Sequence, residues 1–462
     1  MRQHQLSLRR LVMCCANKWR KLAVVLFSVC VLLYFVGLSG FDMHFLDNSI
    51  DAEEGTVPES ADLQLRTVLL VTRHGDRYSI FAKGSDESEA AADCHPPDEE
   101  LLSKFHDYVH FVGSNRRADF LRFEESGYPK DFQPVPHAER CVAGKLTAVG
   151  ALQMMRLGGA LRSRYAGLLS ESDLEVLPHS STYERTFQSA VAFLYGLLRP
   201  REEPWTGLTL RRSENTHFCL RGSCFCAALP RYKKNYERDR LELFKADKPY
   251  NVKQLTARVV KALGMPDIDD PLDALDALSC RHICRHRQLP VRINENDCLK
   301  WTDAVALWKY VRERSASLVQ TQASRNYIAA EAAAIFGELL AAADELLRDG
   351  NHSFRYYSGH DVTLRALFVS LGIWDGSVPT YSSRLSFELY TDVKTQEATG
   401  SKSKLYLRVI KDGRDATQRL RFCRGPRASV DSWRGGGFLC DFEDFRDFVA
   451  DNCGDKLLKA VC

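Results

Sequence analysis

The chain has 462 residues, 45% of them hydrophobic and 27% charged, and a formal net charge of +3. This excludes a disordered tail, a collagen-like chain and a short disulfide miniprotein, and leaves enough apolar material for one large or two ordinary domains. With 63 basic residues nearly cancelled by 60 acidic ones and no basic block standing apart, no nucleic-acid partner is expected.

Charge is asymmetric only at the start. Arg2, Arg9, Arg10, Lys18, Arg20 and Lys21 precede an uncharged run from Leu22 to Phe41, and Asp42, Asp47, Asp51, Glu53 and Glu54 follow it. A helix over that run would rise about 30 Å, the hydrocarbon thickness of a bilayer. The pattern predicts a cytoplasmic tail over 1–21, a single-pass transmembrane anchor over 22–41 and an N-in orientation. A cleaved signal peptide is the rival reading, although the apolar run exceeds a usual signal core.

Cys14, Cys15 and Cys30 lie in or beside the anchor. The other twelve of the fifteen cysteines form an even set, as expected of a disulfide-stapled domain in an oxidising lumen. Cys219, Cys224, Cys226, Cys280 and Cys284 lack the spacings of a common zinc site, so no metal is expected. Asn351-His352-Ser353 is the one N-glycosylation sequon, and in sequence it lies close to the later motif described below.

Residues 42–66 read as an acidic, solvated stem. A folded domain over 67–462 opens with Thr67-Val68-Leu69-Leu70-Val71, a continuous apolar run typical of a strand buried on both faces. It feeds into Arg73-His74-Gly75-Asp76-Arg77. In α/β proteins ligands bind just beyond the carboxyl ends of strands. Thr147 reads as the N-cap of a helix reaching about Tyr165. A second helix starts near Ser181-Thr182, carries Arg185 in its first turn and stops at Pro200. The stretch from about 216 to 320 is polar, cysteine-rich and without strong strand signals, so it reads as an inserted, mainly helical lobe. A long helix over 324–349 follows, with Gly350 as its stop. Next come a strand over 354–358, then Gly359-His360-Asp361, and a short helix over 362–371. Strands over 384–390 and 405–410 make a plausible hairpin.

If the two motif-bearing strands are neighbours, Arg73, His74, Arg77, His360 and Asp361 converge at one sheet edge, with Arg185 on a helix N-terminus. Arginine forks bind phosphate oxygens bidentately and keep their charge, a role magnesium fills elsewhere, so no cofactor is expected. A neutral imidazole amid them can attack phosphorus, and Gly75 permits close backbone approach to the ligand. Asp361, if protonated, can supply the leaving oxygen's proton, which predicts an acidic pH optimum.

The R-H-G-x-R run at 73–77, the R-T at 185–186 and the H-D at 360–361 resemble the signature of the histidine acid phosphatase family, within the phosphoglycerate-mutase-like superfamily. Residues 146–150 and 384–390 also resemble that family. The resemblance implies an α/β sheet flanked by helices with a helical cap lobe. It implies His74 as nucleophile, His360 steadying the transferred group, Asp361 as proton donor, and Arg73, Arg77 and Arg185 as phosphate ligands. Where the family usually has proline after the first motif, this chain has Ser79, which predicts a looser loop.

The segments 73–78, 218–226 and 357–364 resemble more narrowly a Golgi member acting on a phosphorylated xylose. That implies a phosphorylated glycan of the proteoglycan linkage region as partner, a type II Golgi membrane location and a Golgi glycosyltransferase as neighbour. A broad endomembrane acid phosphatase and a non-catalytic glycan-binding scaffold are the rival readings. Arg281, His282, Arg285, His286 and Arg287, with Lys233 and Lys234, form either a rim for an acidic glycan or a solvated face.

Overall fold

The computed structural model describes residues 63–81, 99–124, 132–137, 141–200, 207–213, 229–246, 250–284 without 266, 291–294, 297–392, 404–424 and 438–452, with Val57, Pro96 and Phe218. The expected tail and anchor, nearly all of the stem, Cys219 to Cys226 and Arg285 to Arg287 lie outside the described residues.

Strand β1 (Leu63–Arg73) leads into helices α1 (Glu99–Gly113) and α2 (Asn115–Phe120), strand β2 (Leu121–Phe123), helix α3 (Ala148–Arg164), strand β3 (Glu175–Ser180), helix α4 (Glu184–Leu198) and strand β4 (Leu208–Arg212). Helices α5 (Leu229–Ala246), α6 (Tyr250–Leu263) and α7 (Pro271–Cys284), strands β5 (Val291–Asn294) and β6 (Asp297–Leu299), and helix α8 (Trp301–Leu318) come next. Helix α9 (Gln322–Asp349), strand β7 (Ser353–Gly359), helix α10 (Asp361–Ser370), strands β8 (Arg384–Asp392), β9 (Leu405–Lys411), β10 (Arg414–Asp415) and β11 (Cys440–Asp441), and helix α11 (Phe442–Asn452) complete the order.

The main sheet runs β10, β9, β8, β1, β7, β3, β4, β2, with β11 also paired to β9. From β1 through β7, β3 and β4 to β2 the pairing is parallel, while β8 and β9 extend it antiparallel. The apolar run of β1 follows from its central place. Val68 and Leu70 enter one core cluster with α1, α3 and α4, whereas Leu69 and Val71 enter another with α9, α10 and α11. Alternate side chains thus fill both faces of one strand.

Caps fall where the chain chemistry puts them. Thr147 accepts from the Gly150 N–H at 3.0 Å, and Gly350 takes the left-handed conformation (φ 75°) after α9. Helix α4 begins at Glu184, two to three residues later than expected, and Arg199 closes it in the left-handed region before Pro200. The stretch 216–320 contributes helices α5 to α8, and in addition the β5–β6 hairpin, which its polar sequence did not announce.

Among the described residues, α9 alone is long and apolar enough to cross a membrane. Its Ile328, Ile335, Phe336 and Leu339 are instead buried against the sheet. Cys423 is bonded to Cys440, and Cys141 is also in a disulfide, but Cys280 and Cys298 are free. Among the described residues the domain thus carries both disulfides and free thiols. Buried Cys280 faces the Tyr381 hydroxyl at 3.0 Å and the Arg77 guanidinium at 3.6 Å.

One charged network crosses the core. Glu388 on β8 is fully buried, and its Oε1 accepts from Arg164 NH2 (2.7 Å), Arg164 Nε (3.1 Å) and the Tyr165 hydroxyl (2.9 Å). Its Oε2 accepts from the Tyr390 hydroxyl at 2.8 Å and lies 3.6 Å from Arg408. Removing one partner of a buried ion pair leaves the other charge uncompensated, at about 3–5 kcal/mol. Glu388→Gln is expected to lower the urea midpoint by a corresponding amount with the m-value unchanged; a shift worth under about 1 kcal/mol would reject this account.

Candidate active site

The two motifs meet because their strands are hydrogen-bonded neighbours. Arg73 pairs in register with Gly359, and the His74 N–H donates to the Gly359 carbonyl at 3.0 Å. The turn after β1 is then pinned to two helices. Gly75 N–H donates to Ser189 Oγ on α4 at 3.1 Å, Asp76 N–H to Gln153 Oε1 on α3 at 2.8 Å, and Thr147 Oγ1 to Asp76 Oδ2 at 2.8 Å.

Gly75 has a packing reason that was not expected. A Cβ there would lie 2.2 Å from the Gly150 carbonyl oxygen, so the glycine permits contact with the start of α3. This also accounts for Gly150, whose own Cβ would meet the Asp76 carbonyl oxygen at 2.2 Å. Ser79 likewise departs from expectation. It is buried, and its hydroxyl accepts from the Phe81 N–H at 3.2 Å, closing the turn from the side chain.

All six expected site residues come to one place. His74 Nδ1 lies 2.7 Å from the Gly75 carbonyl oxygen, which only accepts, so Nδ1 carries the proton and Nε2 keeps its lone pair. The His74 and His360 rings meet edge to face at 5.6 Å. Burial, then Arg185, Arg73, His360 and Arg77, hold the His74 pKa well below that of an ordinary imidazole. His360 is pushed down to about 3 by burial and then by Arg185. Its Nε2 bonds Ser181 Oγ at 2.8 Å, and Ser181 in turn bonds Thr186 Oγ1 at 2.8 Å. With Arg185 NH2 donating to His360 Nδ1 at 3.5 Å, Nε2 bears the proton and donates to Ser181.

The arginines crowd one another. Burial and then Arg77 lower Arg185 to about 10, and the buried Nε atoms of Arg73 and Arg185 have no hydrogen-bond partner. Arg73 is braced by the Pro379 carbonyl at 2.6 Å and by the Tyr381 ring, 4.1 Å from its guanidinium carbon. Such an arrangement is unfavourable without an anion and favourable with one. Asp361 is the first residue of α10, with His360 in the N-cap position. Burial works to raise its carboxyl pKa, but Arg73, Arg365, His360 and Arg77 outweigh it and hold the pKa below the usual carboxylate value.

Several residues here had no readable signal. Asp276, on α7 of the middle stretch, takes Arg77 NH2 in a two-oxygen grip at 2.9 and 2.8 Å. Tyr381, Ser181 and Tyr183 also touch the motif side chains. Conversely, Asn351 precedes β7 whereas His360 follows it, so the whole strand, roughly 20 Å, separates the sequon from the site. Lys233 and Lys234 are exposed on α5. The side chains of the other proposed rim residues lie outside the described set.

The profile of the histidine phosphatase superfamily (branch 2) matches residues 64–411. The chain is 26% identical over 426 residues to 2-phosphoxylose phosphatase 1 of Danio rerio, covering 86% of this chain and 80% of that protein. It is 24% identical over 388 residues to the Homo sapiens protein of the same name, covering 80% and 75%. Lysosomal acid phosphatase of Bos taurus is 30% identical over 294 residues, 57% of this chain and 63% of that one. Among solved structures, the Bifidobacterium longum multiple inositol polyphosphate phosphatase in complex with phosphate superposes with a TM-score of 0.53 at 14% identity, over 83% of this chain and 93% of that one. That likeness concerns the fold.

Proposed function

Since the chain belongs to branch 2 of the histidine phosphatase superfamily and is a phosphatase, we propose that it removes phosphate from 2-phosphoxylose in the proteoglycan linkage region through a phosphohistidine intermediate. The observation that carries the mechanism is the His74 tautomer, with its Nε2 lone pair held among three arginines. Arg73, Arg77 and Arg185 would bind the phosphoryl oxygens. His74 Nε2 attacks phosphorus, the bond from phosphorus to the ester oxygen breaks, and Asp361 protonates the departing alkoxide. Water then attacks the phosphohistidine, gives its proton to the Asp361 carboxylate and releases inorganic phosphate. Proton, electron pair and carboxyl are thereby restored.

The substrate assignment draws on the relatives named 2-phosphoxylose phosphatase 1, which align over most of the chain. The uncharged run at 22–41 with basic residues before it supports a type II anchor with the catalytic domain in the Golgi lumen. That placement would put the enzyme beside the glycosyltransferases that extend the same linkage region.

The test is phosphate release by the full-length protein from a linkage oligosaccharide carrying 2-phosphoxylose, in the presence of chelator. Release at a rate at least about tenfold above that on phosphopeptides, at equal concentration, is the expected result, a gap of roughly 1.4 kcal/mol in barrier. Equal rates on every phosphoester would favour the broad acid phosphatase reading, to which the similarity with lysosomal acid phosphatase points.

A further inference from the structure

A phosphate pocket built from arginines is indifferent to what the phosphate is attached to, so selectivity must come from the rim. Among the described residues five large hydrophobic side chains are exposed: Ile80, Val142, Tyr183, Leu241 and Phe438. Three of them, Ile80, Val142 and Tyr183, lie on segments joined to one another, one of which touches the pocket, and this is not how incidental exposed apolar residues distribute. Tyr183, 46% exposed, occupies the N-cap position of α4. Its ring meets the His360 ring edge to face at 5.0 Å and lies 4.4 Å from the Arg185 guanidinium carbon.

Ile80 leaves the 73–77 motif by three residues. The segment leading to it is tied to the Val142 turn through Tyr78 N–H to the Lys145 carbonyl (3.0 Å) and Gly144 N–H to the Tyr78 carbonyl (3.1 Å). The Lys145 ammonium then pairs with Glu184, the residue after Tyr183. The ring of Tyr183 thus borders Arg185, and Ile80 and Val142 stand exposed on the two hydrogen-bonded segments that link Arg77 back to the neighbour of Tyr183.

We infer that Tyr183, with Ile80 and Val142, is a leaving-group platform that selects phosphate esters of a ring with an apolar face, such as a pyranose, over acyclic esters. The inference rests on the phosphomonoesterase reading above and adds to it a residue that sees the sugar. A pyranose presents C–H bonds on one face and hydroxyls on its edge. The first packs on an aromatic or aliphatic rim while the second stays solvated.

The test compares kcat/KM of the full-length protein on a 2-phosphoxylose glycoside, on 4-nitrophenyl phosphate and on glycerol phosphate. Tyr183→Ala is expected to lower the ratio of either ring substrate to glycerol phosphate by about tenfold, chiefly through KM, and Tyr183→Phe to retain it. Inhibition by inorganic phosphate separates this from simple support of Arg185. Parallel losses on all three substrates together with weakened phosphate inhibition would overturn the platform, as would unchanged ratios. If the wild-type protein released no phosphate from the xyloside, the xylose reading would fall by itself. Loss of the preference for 4-nitrophenyl phosphate in Tyr183→Ala would then still carry the platform.

Discussion

Replacing His74 with alanine is expected to cut kcat by about 10,000-fold or more, because every later step passes through the bond its Nε2 would form. The wild-type protein, quenched during turnover, should hold phosphate that is released by acid and resists alkali, and the variant should hold none. Folding is not the confounder. The ring donates one hydrogen bond, to the neighbouring Gly75 carbonyl, and because it is neutral its loss leaves the charge balance of Arg73, Arg77 and Arg185 unchanged. Inorganic phosphate should therefore still bind the variant. The lowered pKa has a second consequence. An ordinary imidazole protonates near 6.5 and would switch the nucleophile off in acid, but here burial and the arginines keep it neutral well below that value. Titration of the wild-type His74 ring followed by NMR should show no protonation near 6.5, and a transition there would contradict the assignment.

The sequence carried the site further than it carried the scaffold. Residues 73–77, 185–186 and 360–361 are short runs of groups that bond phosphate, and their meeting followed from one topological condition, the pairing of β1 with β7. Strand β3 is hard to read from sequence, since Pro178 sits inside it. The structure explains the tolerance: β3 pairs with β7 over Glu175–Ser180 but with β4 only at His179 and Ser180, so Pro178 lies beyond the ladder to β4. Asp276 could not be read at all, since its partner Arg77 is 199 positions away and nothing in the α7 sequence distinguishes it from a solvated helix carboxylate. Arg185 was the informative anomaly. A cation in the first turn of a helix opposes the dipole, and the structure makes the conflict worse by adding Arg73 and Arg77 beside it. Where local preference is violated that strongly, a ligand is the natural resolution.

Asp361→Asn is expected to separate substrates by their leaving groups. A sugar alkoxide cannot depart without a proton, so kcat on a phosphorylated xyloside should fall by about 1,000-fold; 4-nitrophenolate departs unaided, so its ester should lose less than about tenfold. Equal losses on both would remove Asp361 from the role of acid. The free enzyme poses a difficulty, because Arg73, Arg365, His360 and Arg77 hold this carboxyl ionised against the opposing effect of burial. Bound phosphate reverses the balance. Its charge offsets Arg73 and Arg77, leaving burial and a second anion to push the carboxyl pKa upward. The proton arrives with the substrate itself, since a phosphate monoester near pH 6 is partly monoanionic. The sign is then fixed: activity is greatest where the complex holds that proton and declines as pH rises through the carboxyl pKa in the complex. The limb in kcat, which reports the complex, should lie at higher pH than the carboxyl of the free enzyme contributes to kcat/KM. In Asp361→Asn the limb in kcat on the xyloside should flatten, and its persistence unchanged would place the titrating group elsewhere.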